Sequence, residues 1–174
     1  MNNSPPIRGE QQGRMELVGG HGRVDELFAR ARRRLAGRPR EALGELVLPR
    51  RVLGVGRAPR IVPVGEAWHI GVLLLTDDEV LATGEILRAR EEVRRGYPAQ
   101  SQRERAELAA AAFRGGFAEG QVVHLGWTRL EPDAVARGEA SGPLSLVDGV
   151  AHVRWSPTAA PRPLVDYLDD QLSL

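Results

Sequence analysis

Apolar residues recur at helical spacing in four segments of the chain. The first predicted helix covers residues 24–37, and its apolar face carries Val24, Leu27, Phe28, Ala31 and Leu35. A shorter helix is predicted over about residues 39–47, because proline suits the first helical turn. The third covers residues 101–115, which begin with a Ser-x-x-Glu capping box and end in glycine. The fourth covers about residues 163–172.

Other segments alternate between apolar and polar residues as β-strands do. Strands are predicted over residues 60–64, 67–75, 80–87, 121–130, 144–147 and 150–156. Pro63 indicates that the first lies at a sheet edge, since proline cannot donate to a strand ladder. Asp148-Gly149 separates the last two and favours a type I′ hairpin, in which Val147 pairs with Val150.

The resulting order is αα-βββ-α-βββ-α, joined mostly by hairpins. This order predicts an α+β fold, with a mostly antiparallel sheet of about six strands and helices packed on it. Residues 1–22 are polar and rich in glycine, so we expect a flexible leader, in which Met1 or Met15 is the start. Residues 23–174 are expected to form a single domain, as their number allows.

Three of the four histidines lie in similar predicted strands, at His69, His124 and His152. Side chains alternate across a strand, so the tryptophan at an odd distance from each histidine should face the opposite way. Trp68, Trp127 and Trp155 all stand at odd distances. If these strands share a sheet, the pattern predicts one face with histidines and one with tryptophans.

The predicted histidine face suits three different roles. With Arg154, the three imidazoles could hold a carboxylate or phosphate, which makes a small anionic ligand the leading hypothesis. The imidazoles alone could bind zinc and leave a fourth position open, although no metal or other cofactor is our first expectation. They could also be structural residues beneath the alanine-rich helix over residues 101–115.

Two residue types are absent, and their absence excludes several kinds of chemistry. There is no cysteine, which excludes disulfides, thiolate catalysis and iron–sulfur clusters. All 24 basic residues are arginine, so Schiff-base chemistry and the lysine of a phosphate-binding P-loop are also excluded. No apolar run approaches the ~20 residues of a membrane helix, so we expect no membrane contact and a cytoplasmic location.

Positive charge is concentrated near the N-terminus. Residues 1–60 carry thirteen arginines and six acids, a net +7, whereas residues 61–174 carry eleven arginines and seventeen acids, a net −6. Residues 30–40 hold six arginines, and an anion or nucleic-acid patch would use Arg30, Arg32, Arg33 and Arg34. Nucleic acid is not the expected partner, because no aromatic residues are interleaved with these arginines.

Residues 67–75, 112–117 and 141–149 resemble short actinobacterial proteins, some of which carry the label glutaminase. The resemblance spans roughly residues 24–172. It implies amide hydrolysis, but Ser-x-x-Lys and cysteine nucleophiles need residues that this chain lacks. Such a hydrolase would have to activate water through histidine or metal.

The sequence therefore favours a binding or accessory domain over an enzyme. Its predicted ligand surface is His69, His124, His152 and Arg154. A hydrolase that uses the three histidines, and an interaction module that uses the arginine patch, remain the alternatives.

Overall fold

The computed structural model describes residues 10–48, 58–92 and 100–173, with side chains from residue 23 onward. The protein has an α+β fold, as predicted. The chain divides into two compact units, one formed by Gly37–Arg129 and the other by the residues before and after it. The expected single domain over residues 23–174 stays a prediction.

The unit Gly37–Arg129 contains seven strands and one helix among its described residues. In chain order these are β1 (Glu41–Val47), β2 (Arg60–Ile70), β3 (Leu73–Leu75), β4 (Val80–Ala82), β5 (Glu85–Arg88), α2 (Gln100–Gly115), β6 (Val122–Leu125) and β7 (Thr128–Arg129). They form one sheet in the order β5-β6-β1-β2-β3-β4-β7. Only the pairing of β1 with β6 is parallel, so the sheet is mostly antiparallel, as predicted.

Each outer strand of this sheet directly follows an inner strand in the chain: β5 follows β4, and β7 follows β6. Gly84 lies between β4 and β5, and Gly126 lies between β6 and β7, where its φ is +66°. β4 pairs with β7 and β5 pairs with β6, so the strands on either side of Gly84 pair with the strands on either side of Gly126. A Cβ at Gly84 would lie 2.3 Å from the carbonyl oxygen of Leu125. Only glycine therefore fits where the backbone between β4 and β5 passes the end of β6. The predicted strands over residues 80–87 and 121–130 are thus each divided in two.

The sheet has a distinct apolar cluster on each face. Helix α2 covers one face, where its Ala111 and Ala112 pack with Ile61, Val123 and other buried residues. A Cβ on Gly115 would lie 1.6 Å from the carbonyl oxygen of Ile61, so glycine allows the close approach of α2 to β2. The cluster on the other face is formed by Leu43, Ala67, Leu74 and Leu81, with Trp127 packed against it.

The helix predicted over residues 39–47 is wrong, because this segment is strand β1. It pairs with β2 on one side and with β6 on the other, and a register shift lies between Leu43 and Gly44. Ala42 and Leu43 point to opposite faces of this strand and both are buried, so its apolar residues do not alternate cleanly. Ladder partners distant in sequence therefore outweigh the local preference for a helix.

Strand β2 is one long strand, and the break predicted at Gly65-Glu66 is wrong. Pro63 is tolerated because it lies opposite Gly44 at the register shift, where the ladder is already irregular. The chain reverses instead at Gly71-Val72, between Ile70 and its partner Leu73. Between β3 and β4 the chain turns over residues 76–79, where the Thr76 amide donates a hydrogen bond to the Glu79 carbonyl.

The second unit contains α1 (Glu10–Leu35), α3 (Pro132–Ala136), β8 (Leu144–Val147), β9 (Val150–Val153), β10 (Arg162–Pro163) and α4 (Leu164–Leu172). Its three strands form a sheet in the order β10-β9-β8. The predicted hairpin is confirmed: Val147 pairs with Val150, and Asp148 and Gly149 have φ of 49° and 76°. Both positive angles are those that a type I′ turn requires.

Helix α1 has the predicted apolar face but not the predicted start. Val24, Phe28, Ala31 and Leu35 are all buried. The helix begins at Glu10, so it overlaps the leader expected over residues 1–22. Each glycine there costs only about 1 kcal/mol relative to alanine in a helix that is already nucleated, so this composition does not prevent a helix. No described helix is long and apolar enough to span a membrane.

Candidate functional site

A glutamate and two histidines converge on the sheet of the Gly37–Arg129 unit. Glu41 is the first residue of β1, His69 lies near the end of β2, and His124 lies in β6. These strands are neighbours in the order β6-β1-β2. His124 is in register with Leu43, and His69 is in register with Leu74. The three side chains therefore belong to the face that carries the Leu43 cluster, not to the face under α2.

The Glu41 carboxylate lies between the two imidazole rings. Its Oε2 atom is 2.5 Å from Nε2 of His124 and 3.3 Å from Nδ1 of His69. The ring centroids are 4.7 Å apart at an interplanar angle of 66°. One ligand atom from each residue can be chosen so that all three lie within 4.8 Å of one another. We refer to Glu41, His69 and His124 as the Glu–His–His site.

Hydrogen bonding fixes the tautomer of His69. Its Nε2 lies 2.8 Å from the carbonyl oxygen of Gly71, which can only accept, so Nε2 carries a proton and donates it. In the neutral ring, Nδ1 then holds a lone pair that faces the lone pairs of the Glu41 carboxylate. Two acceptors at 3.3 Å repel each other unless a cation, either a proton or a metal ion, lies between them.

His124 is fully buried, and its surroundings favour the neutral ring. Burial lowers the pKa of His124 below its ordinary value, and the hydrogen bond with Glu41 offsets only part of this effect. The neighbouring His69 lowers that pKa further. The Nδ1 atom of His124 has no hydrogen-bond partner in the described part of the chain. A neutral imidazole is the form that can ligate a metal ion.

Arg40 and Trp68, the residues that precede Glu41 and His69, contact each other beside the site. The Arg40 guanidinium stacks 4.0 Å from the centroid of the Trp68 ring and donates two hydrogen bonds to the Asp77 carboxylate. The Trp68 indole N–H also donates to the carbonyl oxygen of Arg38. Hydrogen bonding to Asp77 raises the pKa of Arg40 above its already high ordinary value. Arg40 is thus a charged residue that already has a carboxylate partner.

Only two of the predicted ligand-binding residues are brought together. His69 and His124 share the seven-stranded sheet, whereas His152 lies in β9 of the three-stranded sheet. There the Nδ1 atom of His152 donates to the carbonyl oxygen of Val150 at 2.9 Å. Arg154 follows β9 and is exposed. The predicted face of three histidines is therefore divided between two sheets.

The predicted separation of tryptophans from histidines is wrong for Trp127. Trp127 packs on the Leu43 cluster, which lies on the same face as His69 and His124. The alternation fails because β6 ends at Leu125 and Gly126 adopts a positive φ. Trp127 therefore no longer keeps the strand spacing from His124. The alanine-rich helix α2 packs on the opposite face, so it does not cover these histidines.

The arginine patch lies near the C-terminal end of α1. Arg30 and Arg34 both approach the Asp169 carboxylate of α4, at 3.5 and 2.5 Å. Exposed ion pairs of this kind contribute little to stability, about 0–1 kcal/mol. They explain two of the four arginines without nucleic acid, while nucleic-acid binding itself stays a prediction.

Glu41 is the site residue that sequence reasoning missed. The local pattern predicts a helix over residues 39–47, and a helix does not place Glu41 beside a histidine strand. One signal was present in the sequence: Gly44 lies in the middle of this segment, where a helix would be weakened. The segment also ends in Leu46-Val47, which suits a strand.

Comparisons of the chain with protein-family models, with curated proteins and with solved structures give no match. The resemblance to proteins labelled glutaminase gains no support from them.

Proposed function

We propose that this protein binds a divalent transition-metal ion through Glu41, His69 and His124. The observation that carries the proposal is the convergence of one ligand atom each from Glu41, His69 and His124, all within 4.8 Å of one another. Two histidines and one carboxylate are a ligand set that catalytic zinc sites and non-haem iron sites use. The hydrogen bond from His69 to the Gly71 carbonyl matches the outer contact that metal-binding histidines usually make.

One distance in the site also fits a metal ion. Bonds of ~2.0–2.1 Å in a tetrahedral site place neighbouring ligand atoms about 3.4 Å apart. The separation of 3.3 Å between Glu41 and His69 agrees with this value. The 2.5 Å between Glu41 and His124 is a hydrogen-bond length, so an ion that binds here would replace that hydrogen bond and separate the two atoms.

The anion hypothesis from the sequence receives less support. A carboxylate already occupies the position between the imidazoles, and it repels a second anion. The hypothesis also joined His69 and His124 of the seven-stranded sheet to His152 in β9 and Arg154 just after it, and β9 belongs to the three-stranded sheet. Direct binding of a small anion by the metal-free protein stays a prediction, and so does amide hydrolysis.

Calorimetric titration of Zn²⁺ into the metal-stripped protein tests the proposal. We expect saturable binding of one Zn²⁺ per chain, and its loss in His69→Ala. His152→Ala is the matched control and should bind as the wild type does. Failure of the wild type to bind Zn²⁺, Co²⁺ or Fe²⁺ would overturn the proposal and assign a proton to the space between Glu41 and His69. Binding that His152→Ala abolishes would also overturn it.

A further inference from the structure

We infer that a metal ion in the Glu–His–His site keeps a coordination position open to solvent, where water exchanges with a small anion. The inference rests on the proposed function and adds to it the class of ligand that the bound metal would take. The number of protein ligands, the direction of solvent access and the net charge of the site support it independently.

The number of protein ligands is the first support. Among the described residues, the cluster that could hold a metal ion contains three side chains and no fourth. In the Gly37–Arg129 unit, the structure does not describe residues 49–57 and 93–99. These residues include no histidine, cysteine, aspartate or glutamate. Structural zinc sites are closed by four protein ligands, whereas sites with three protein ligands hold water or substrate in the fourth position.

Solvent access is the second support. The His124 side chain has no exposed surface, so it forms the inner wall of the site. The side chains of Glu41 and His69 keep 35% and 27% of their surface exposed. A small molecule can therefore approach from the side of Glu41 and His69, opposite His124.

Charge is the third support. Two neutral imidazoles and one carboxylate leave a divalent ion with a net charge of +1, which favours an anionic fourth ligand. Arg40 precedes Glu41 in the chain, but its guanidinium binds the Asp77 carboxylate and stacks on Trp68. The attraction for the anion would therefore come from the metal ion. The exchange breaks the bond from the metal to water and forms one from the metal to the anion, with no change of oxidation state.

Cobalt substitution tests the inference, because protein-bound Co²⁺ absorbs visible light with a spectrum that depends on its ligands. The metal-stripped protein is loaded with Co²⁺ and then titrated with azide. We expect a Co²⁺ spectrum that azide shifts in a saturable way. Arg154→Ala, which removes the arginine of the sequence-based anion site, should give the same titration.

Each other result has a distinct meaning. A Co²⁺ spectrum that azide does not change overturns the open position and leaves metal binding intact. The absence of a protein-bound Co²⁺ spectrum overturns the proposed function as well. An azide shift that Arg154→Ala abolishes overturns the inference, because the arginine would then hold the anion.

Discussion

At the scale of single residues, Glu41 joins the two histidines. Its Oε2 atom contacts both His124 and His69, at 2.5 and 3.3 Å. The two rings themselves offer only nitrogen ligands, and neither of them supplies charge. Glu41 would therefore provide the negative charge that a divalent ion requires.

Replacing Glu41 by glutamine should weaken zinc binding by at least about 100-fold, since even outer contacts of metal ligands are worth about 10–100-fold. Glutamine keeps the size of the side chain and removes its charge. Glu45→Gln is the matched control, because Glu45 is exposed in the same strand. Calorimetric titration of both variants measures the effect. Equal affinities of Glu41→Gln and Glu45→Gln would contradict the assignment.

His124 should make the metal-free protein less stable in acid. Its pKa is lowered in the folded state, whereas in the unfolded chain it is about 6.5. Below that pH the unfolded state binds more protons than the folded state, so stability is complete above about pH 6.5 and falls as the pH decreases. Urea unfolding of the metal-free protein at pH 8 and at pH 5.5 measures the difference.

The control for this effect is His124→Gln, which removes the titrating ring. We expect its free energy of unfolding to depend less on pH over the same interval. A variant with the same pH dependence as the wild type would show that other groups cause the acid sensitivity.

Residue patterns predict one part of the site and not another. The repeated segments around His69 and His124 single out both histidines, because strand alternation is a local property. Glu41 could not be found in this way, since its role depends on the pairing of β1 with β6. Its partner His124 lies 83 positions away in the chain. No local pattern predicts a contact of that separation.

At the scale of elements, glycines determine how closely neighbouring segments approach. Gly115 ends α2 against the backbone of Ile61, where a Cβ would lie 1.6 Å from the carbonyl oxygen. The position of α2 on the sheet therefore depends on the absence of a Cβ at Gly115. The sequence predicts the end of the helix at Gly115-Gly116, but not this approach to β2.

Gly115→Ala should lower the free energy of unfolding by about 3 kcal/mol, because the added methyl group forces α2 away from β2. Gly65→Ala is the matched control. Its Cβ would meet only the Leu43 side chain at 3.7 Å, which is an ordinary contact. Urea denaturation compares the two variants. A Gly115→Ala protein as stable as Gly65→Ala would contradict the close packing.

Local signals predict some elements well and others poorly. The hairpin at Asp148-Gly149 and the end of α2 are predicted correctly, because turn and cap residues act within a few positions. Strand β1 is predicted wrongly because its partners are distant. The sequence also does not predict that the strands over residues 80–87 and 121–130 are each interrupted, at Gly84 and Gly126. These interruptions depend on the close approach of two segments that are distant in the chain.

At the scale of the whole molecule, the α+β class follows from the sequence and the order of the strands does not. The mix of helical and alternating segments is enough to predict the class. The strand order depends on the ladders of β1 with β6 and of β4 with β7, which join segments far apart in the chain. The site lies on three strands of this sheet, so metal binding should be coupled to the stability of the Gly37–Arg129 unit.

Zinc should therefore stabilise the protein against unfolding. At a free concentration 100 times the dissociation constant, we expect a gain of about 2.7 kcal/mol, because the assembled ligand set exists only in the folded state. Urea unfolding with and without Zn²⁺ measures the gain. His152→Ala should keep it and His69→Ala should lose it. An equal gain in both variants would indicate binding elsewhere.

X-ray absorption at the zinc edge of the zinc-loaded protein tests the central claim most directly, because it counts and identifies the ligand atoms. We predict two imidazole nitrogens at ~2.0–2.1 Å, with oxygen ligands from the carboxylate and one further light atom. His69→Ala should reduce the imidazole contribution, whereas His152→Ala should leave it unchanged. A protein that holds no zinc, or a spectrum without two imidazoles, would contradict the Glu–His–His site.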